Sequence, residues 1–98
     1  MAGVGPQIDL VFKGEDKLGP YEVGVASMFA SAVGQNLGAK SCEDVSADGE
    51  FRFRYRVPMA AWVLYRTDRE AFDVAALDLT LGYELELGVQ GMRFEAVG

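Results

Sequence analysis

Seven residues, Phe51-Arg52-Phe53-Arg54-Tyr55-Arg56-Val57, alternate without a break between apolar and basic side chains. A strand repeats every two residues and a helix every 3.6. Only an extended strand therefore puts Phe51, Phe53, Tyr55 and Val57 on one face and the three arginines on the other. Such a strand must bury its aromatic face against other elements and keep its basic face solvated or paired. Pro58 ends it, because proline has no N–H to give to a ladder. Ala47-Asp48-Gly49 ahead of it is turn chemistry, since Asp-Gly tolerates positive φ.

The remaining segments read outward from that strand. Residues 1–6 are rich in Gly and Pro and are expected to form a loose end, with residues 7–98 a single domain. Gln7–Lys13 is short, β-branched and aromatic, and predicts a strand bounded by Gly14. Pro20 suits the first position of a helix, where its missing N–H costs nothing. From there Tyr21, Val25, Met28, Phe29, Ala32 and Val33 recur at three- and four-residue spacing as an apolar helix face, and Asn36 and Gly38 are stop signals. Gly24 and Gly34 interrupt this helix and allow close packing on a sheet. Residues 39–46 form a further candidate strand. Residues 59–76 admit two readings. One is a helix from Pro58 with Trp62, Tyr65, Arg69, Phe72 and Ala76 on one stripe. The favoured reading starts a helix at Thr67, where Thr67-Asp68-Arg69-Glu70 fits a capping box; residues 59–66 are left open between strand and helix. From Leu77 the period becomes two, with Leu77, Leu79, Leu81, Tyr83, Leu85 and Leu87 alternating with polar or small residues, which predicts a long strand. Met92–Val97 predicts a last strand, forming a terminal hairpin with it.

The expected fold is therefore α+β: a single-layer, mostly antiparallel sheet with two helices on one face. Its best-matching order is a ferredoxin-like βαββαβ with an extra C-terminal strand.

Charge and composition restrict the function. The chain has 98 residues, a net charge of −6, no His and one Cys. Without His there is no Ser-His-Asp or Cys-His catalysis and no His-ligated metal. Cys42 is flanked by Glu43 and Asp44, whose charge disfavours a thiolate. No catalytic residue, cofactor or metal ligand is assigned, and the chain leans away from an enzyme. A lone cysteine asks for no oxidising compartment, no apolar run spans a membrane, and residues 1–5 do not read as a signal peptide, so a cytoplasmic location is expected. The net negative charge argues against nucleic acid and anionic lipid as partners. All three Lys lie in residues 1–49, which carry a net −4, and all six Arg lie in residues 50–98, which carry a net −2.

Two motifs come close to known chemistry. Asp48 to Tyr55 is similar in its aromatic alternation to the RNP1 signature of RNA-recognition motifs, over eight residues, but has acids at the two positions flanking Gly49. That resemblance implies aromatics stacking on bases; the residues themselves read more simply as core. Gly14 to Tyr21 has the GxxxxG frame of a P-loop, with Pro20 where the phosphate-binding Lys belongs and two carboxylates in the loop. It reads as an ordinary turn. The arginine comb at 52, 54 and 56 would be spaced about 6.6–6.8 Å along a strand. It is expected to pair across the sheet with an acidic comb of Asp78, Glu84 and Glu86.

The function these features favour is a small acidic protein-interaction module, acting by binding another protein and self-associating as a homodimer. In size and charge it is like the small inhibitors of phages and mobile elements, of anti-defence or immunity type, with no motif behind the likeness. Glu15, Asp16, Glu43, Asp44 and Asp48 are the candidates to meet a basic, nucleic-acid-binding surface of that partner. Trp62 and Tyr65 belong to an apolar run, 59–65, that offers an interface. Two alternatives stand beside it. One is a ligand-binding domain or cofactor-free enzyme with an apolar pocket between helices and sheet. The other is an oligomeric structural or assembly protein.

Overall fold

The computed structural model describes residues 5–13, 19–77 and 91–97. Seven elements follow in order: β1 (Gln7–Lys13), α1 (Pro20–Leu37), β2 (Ser41–Asp44), β3 (Phe51–Arg56), α2 (Met59–Thr67), α3 (Arg69–Leu77) and β4 (Gly91–Ala96). The strands form one sheet in the order β2-β3-β1-β4, with every neighbouring pair antiparallel. β1 and β2 are thus parallel to each other with β3 between them, the arrangement of a split β-α-β unit. The α+β class holds. The long strand expected over residues 77–87 falls outside the described residues except at Leu77, which ends α3 instead. The last strand lies beside β1, with Leu10 opposite Phe94.

The alternation around Arg52 sets the layers. Phe51, Phe53 and Tyr55 lie opposite Phe12, Leu10 and Ile8 on β1, and all six are buried beneath the helices. Phe12 packs against the rings of Phe29, Phe51 and Phe53 at centroid distances of 5.5–6.0 Å. The aromatic side of the RNP1-like segment is therefore core, and no base can stack on it.

The two-residue turn at Asp48 and Gly49 has positive φ at both positions, 55° and 79°, the geometry that matches the twist of a hairpin. Beside it, the Ser46 hydroxyl accepts from the Arg52 N–H at 2.9 Å, completing the ladder where the backbone does not.

Helix α1 starts at Pro20, as its chemistry predicts, and stops at Gly38, which takes a left-handed φ of 67°. The Ala39 and Gly38 N–H groups cap the Gly34 and Gln35 carbonyls. Its buried face is turned from the expected one. Ala26, Phe29, Ala30, Val33, Gly34 and Leu37 are buried, whereas Tyr21 and Met28 are exposed. The reason is Tyr55. Its hydroxyl donates to the Ala30 carbonyl at 2.5 Å, and its ring lies so close to Gly34 that an added Cβ would meet it at 2.9 Å. The helix presents Ala30 and Gly34 to the tyrosine, and Phe29 beside them to Phe12 of the sheet.

The two glycines of α1 should consequently respond with opposite signs. Gly24→Ala meets nothing within 4 Å and is expected to stabilise the fold by up to about 1 kcal/mol through helix propensity. Gly34→Ala gains the same propensity but must displace a buried ring, at a cost of about 1–3 kcal/mol. Thermal denaturation of the two variants should separate them by several degrees around the parent protein.

Residues 59–77 form two helices, so among the described residues three helices, not two, accompany the sheet. The expected start at Thr67 is corrected to Arg69. The Thr67 hydroxyl donates back to the Val63 carbonyl at 2.7 Å and so belongs to the end of α2. Asp68 is the capping residue, its carboxylate accepting from the Ala71 N–H at 3.1 Å. The 59–66 segment is therefore helical rather than an edge strand.

Candidate functional site

Besides the charges of α2 and α3, where Arg69 pairs with Asp73 at 3.5 Å, two groups of charges lie on the sheet, and they differ in how they are paired. The first covers the sheet face away from the helices. β1 places Asp9 there, opposite Arg54 on β3 and Glu95 on β4. The Asp9 side chain is completely shielded from solvent. Its Oδ1 accepts from Arg54 Nε at 2.8 Å, and its Oδ2 accepts from Arg52 Nη1 at 3.0 Å and Arg54 Nη2 at 3.1 Å. Arg52 also donates to Glu50 at 2.7 Å and Glu95 at 2.9 Å, and Glu95 accepts again from Arg93. Hydrogen bonds from Arg52 and then Arg93 hold the Glu95 carboxyl below its usual range. Arg56, the third tooth of the comb, has no ion pair among the described residues.

Among the described residues Arg52 and Arg54 of the comb are thus paired, with Asp9, Glu50 and Glu95. Asp78, Glu84 and Glu86 lie outside the described residues. Asp9 was missed although its signal was present. In Ile8-Asp9-Leu10 the aspartate occupies the polar parity of a strand that must lie beside another in the same sheet.

The second group runs along β2, the outermost strand among the described residues, and its turn. Glu43, Asp44 and Asp48 are exposed, and none has an ion pair among the described residues. Register puts Glu43 on the face of Arg54, whose guanidinium is committed to Asp9. Asp44 lies on the opposite face, with Phe53, and accepts from the Ser46 N–H at 2.9 Å. Cys42 lies opposite Tyr55. Burial pushes its thiol pKa up and the Asp44 charge adds to that, while the Tyr55 hydroxyl pulls the other way. The net direction makes it a poor nucleophile. Between β2 and α1 runs an open groove of about 190 Å³ lined by Ser27, Ser31, Cys42, Asp44 and Phe53.

Of the other sequence-derived candidates, Glu15 and Asp16 lie outside the described residues. Trp62 and Tyr65 are half-buried on α2, stacked on each other at 5.8 Å. Arg66 lies over Trp62 and Arg69 over Tyr65, at 5.6 and 4.3 Å. Both rings work mainly as packing, and the apolar side chains that α2 turns outward are Met59 and Val63. Among the described residues no group of His, Cys, Asp and Glu could hold a metal ion, and no helix is long and apolar enough to cross a membrane. No protein family, curated protein or solved structure matches the chain.

Proposed function

We propose that this chain is a small acidic protein-interaction module whose binding element is the edge formed by β2 and its turn. One observation carries the reading: Asp9, Glu50 and Glu95 are each bound by arginines, whereas Glu43, Asp44 and Asp48 on the β2 edge are exposed and form no ion pair among the described residues, Glu43 feeling Arg54 only at longer range. Unpaired charge at a rim steers encounter with a partner of opposite sign. The partner is accordingly a protein with a basic surface. Where that surface is the groove through which the partner takes an anionic ligand of its own, occupying it inhibits the partner.

The packing between helices and sheet supports this reading over a ligand-binding domain. Phe12, Phe29, Phe51, Phe53, Tyr55, Phe72 and Phe94 fill that space, all buried.

The test is a charge-neutral triple variant, Glu43→Gln, Asp44→Asn and Asp48→Asn, titrated with a lysine-rich synthetic peptide. Asparagine tolerates the left-handed backbone at position 48. Three exposed ion pairs at about 0.5 kcal/mol each amount to roughly tenfold in affinity. The variant should bind about tenfold more weakly and with a shallower salt dependence. Equal affinity of parent and variant would sink the acidic-edge reading.

A further inference from the structure

We propose that the outer edge of β2 accepts an extended segment of the partner protein as a fifth strand, with two consecutive basic residues of that segment set against Glu43 and Asp44. This rests on the acidic-module reading and gives it a mode of binding.

Among the described residues β2 stands at the end of the sheet, paired with β3 alone, and all four of its residues are exposed. The Val45 N–H donates to the Arg52 carbonyl at 2.9 Å. In an antiparallel ladder inward and outward positions alternate, so Ser41 and Glu43 direct their backbone groups to β3. The N–H and C=O of Cys42 and Asp44 then face outward, ready to pair with an added strand. The template is firm, because Tyr55 and Phe53 beneath it are fully buried and the Tyr55 hydroxyl is tied to α1. A firm template lowers the ordering cost of binding.

Charge selects the occupant. A second copy pairing through the same edge would crowd the Glu43 and Asp44 carboxylates of both strands together, which like charges disfavour. A basic segment meets no such penalty. Glu43 and Asp44 are adjacent in sequence and point to opposite faces, so their cross-strand partners are also adjacent in sequence. Ser41 and Cys42 are small and uncharged and ask for no further charge. The groove beside Asp44 extends the match. Its Ser27 and Ser31 hydroxyls and the Asp44 carboxylate are acceptors around a space suited to one long cationic side chain. One basic residue would enter this groove, while its neighbour would lie over Glu43 on the far face.

The experiment compares three synthetic peptides of equal charge and length at low ionic strength. The first is threonine-rich with a central Lys-Lys pair. The second is the same peptide with its central alternate amides N-methylated, so that they cannot donate. The third separates the two lysines by one residue, which puts both on one face. The first should bind and should slow amide hydrogen exchange at Cys42 and Asp44. N-methylation should weaken binding about tenfold, the worth of one or two backbone hydrogen bonds, and separating the lysines should weaken it severalfold. Unchanged affinity on N-methylation overturns strand addition and leaves the acidic edge standing. Unchanged affinity on separating the lysines overturns the paired-basic register. If none of the three binds, the acidic-module reading falls as well.

Discussion

A protein in which Arg52 and Arg54 are both replaced by alanine is expected to lose about 3–5 kcal/mol of stability, because it strands a shielded carboxylate. Asp9 has no solvent exposure, and among the described residues its two oxygens accept three hydrogen bonds, all from these two guanidinium groups. The loss is not symmetric. Asp9→Ala removes the same contacts but frees arginines that are already about a quarter and a third exposed, so they can regain water. Arg52 also keeps Glu50 and Glu95. Asp9→Ala should therefore cost distinctly less than the double arginine replacement. A triple variant with apolar residues of similar size at 9, 52 and 54 should recover most of the loss. Urea denaturation of the three variants gives the order, and a double arginine variant at least as stable as Asp9→Ala would show that the network is not organised around Asp9. Glu95 adds a pH signature. Its folded pKa is depressed from 4.5, so its contribution is fully present above that value and is lost as pH falls through the lower folded one. Glu95→Gln should accordingly flatten the acid limb of the stability profile while leaving its slope near neutrality unchanged.

This network also shows what could be read from the chain alone. Alternation is a local signal, so Phe51 to Val57 revealed a strand, its buried aromatic face and its basic face. Which acids answer the arginines is a question of strand order, and strand order is not local. Asp78, Glu84 and Glu86 lie outside the described residues; among those described, Asp9, a single residue inside an apolar strand, is the acid set opposite Arg54. The rotated face of α1 has a similar cause. Tyr21 and Met28 fit the helical period, but the buried Tyr55 ring demands glycine and alanine beneath it, and that demand comes from a strand more than twenty residues away. At Thr67 two local signals competed. Thr and Asp both cap helices, and the cap falls at Asp68, with the helix starting at Arg69, because the Thr67 hydroxyl is spent on the preceding helix. The candidate site was legible as a set of acids but not as an edge. That Glu43 and Asp44 point to opposite faces of an edge strand depends on β2 lying outermost among the described strands.

Replacing Phe72 with alanine is the second large effect expected, about 3–5 kcal/mol from lost transfer energy and the cavity left behind. Phe72 on α3 is fully buried and is the ring through which three elements meet. It packs edge-on against Tyr65 of α2 at 5.2 Å and against Phe94 of β4 at 5.0 Å. Alanine would leave Tyr65 without its support on the core side, and Trp62, stacked on Tyr65, would lose its fixed partner in turn. The chain has a single tryptophan, so its fluorescence reports on this corner alone. Phe72→Ala should therefore weaken the near-ultraviolet circular dichroism of Trp62 as well as lowering the denaturation midpoint. Val74→Ala, two residues along the same helix and mostly exposed, serves as the control. It should change stability by no more than about 0.5 kcal/mol. The β2 edge lies at the far end of the sheet from β4, so under conditions where Phe72→Ala remains folded it should still take up the basic peptide. If Phe72→Ala costs no more than Val74→Ala and leaves the Trp62 signal intact, α2 and α3 are not docked through this ring. If the folded variant keeps its Trp62 signal but loses the peptide, binding depends on the helix pair and not on the β2 edge.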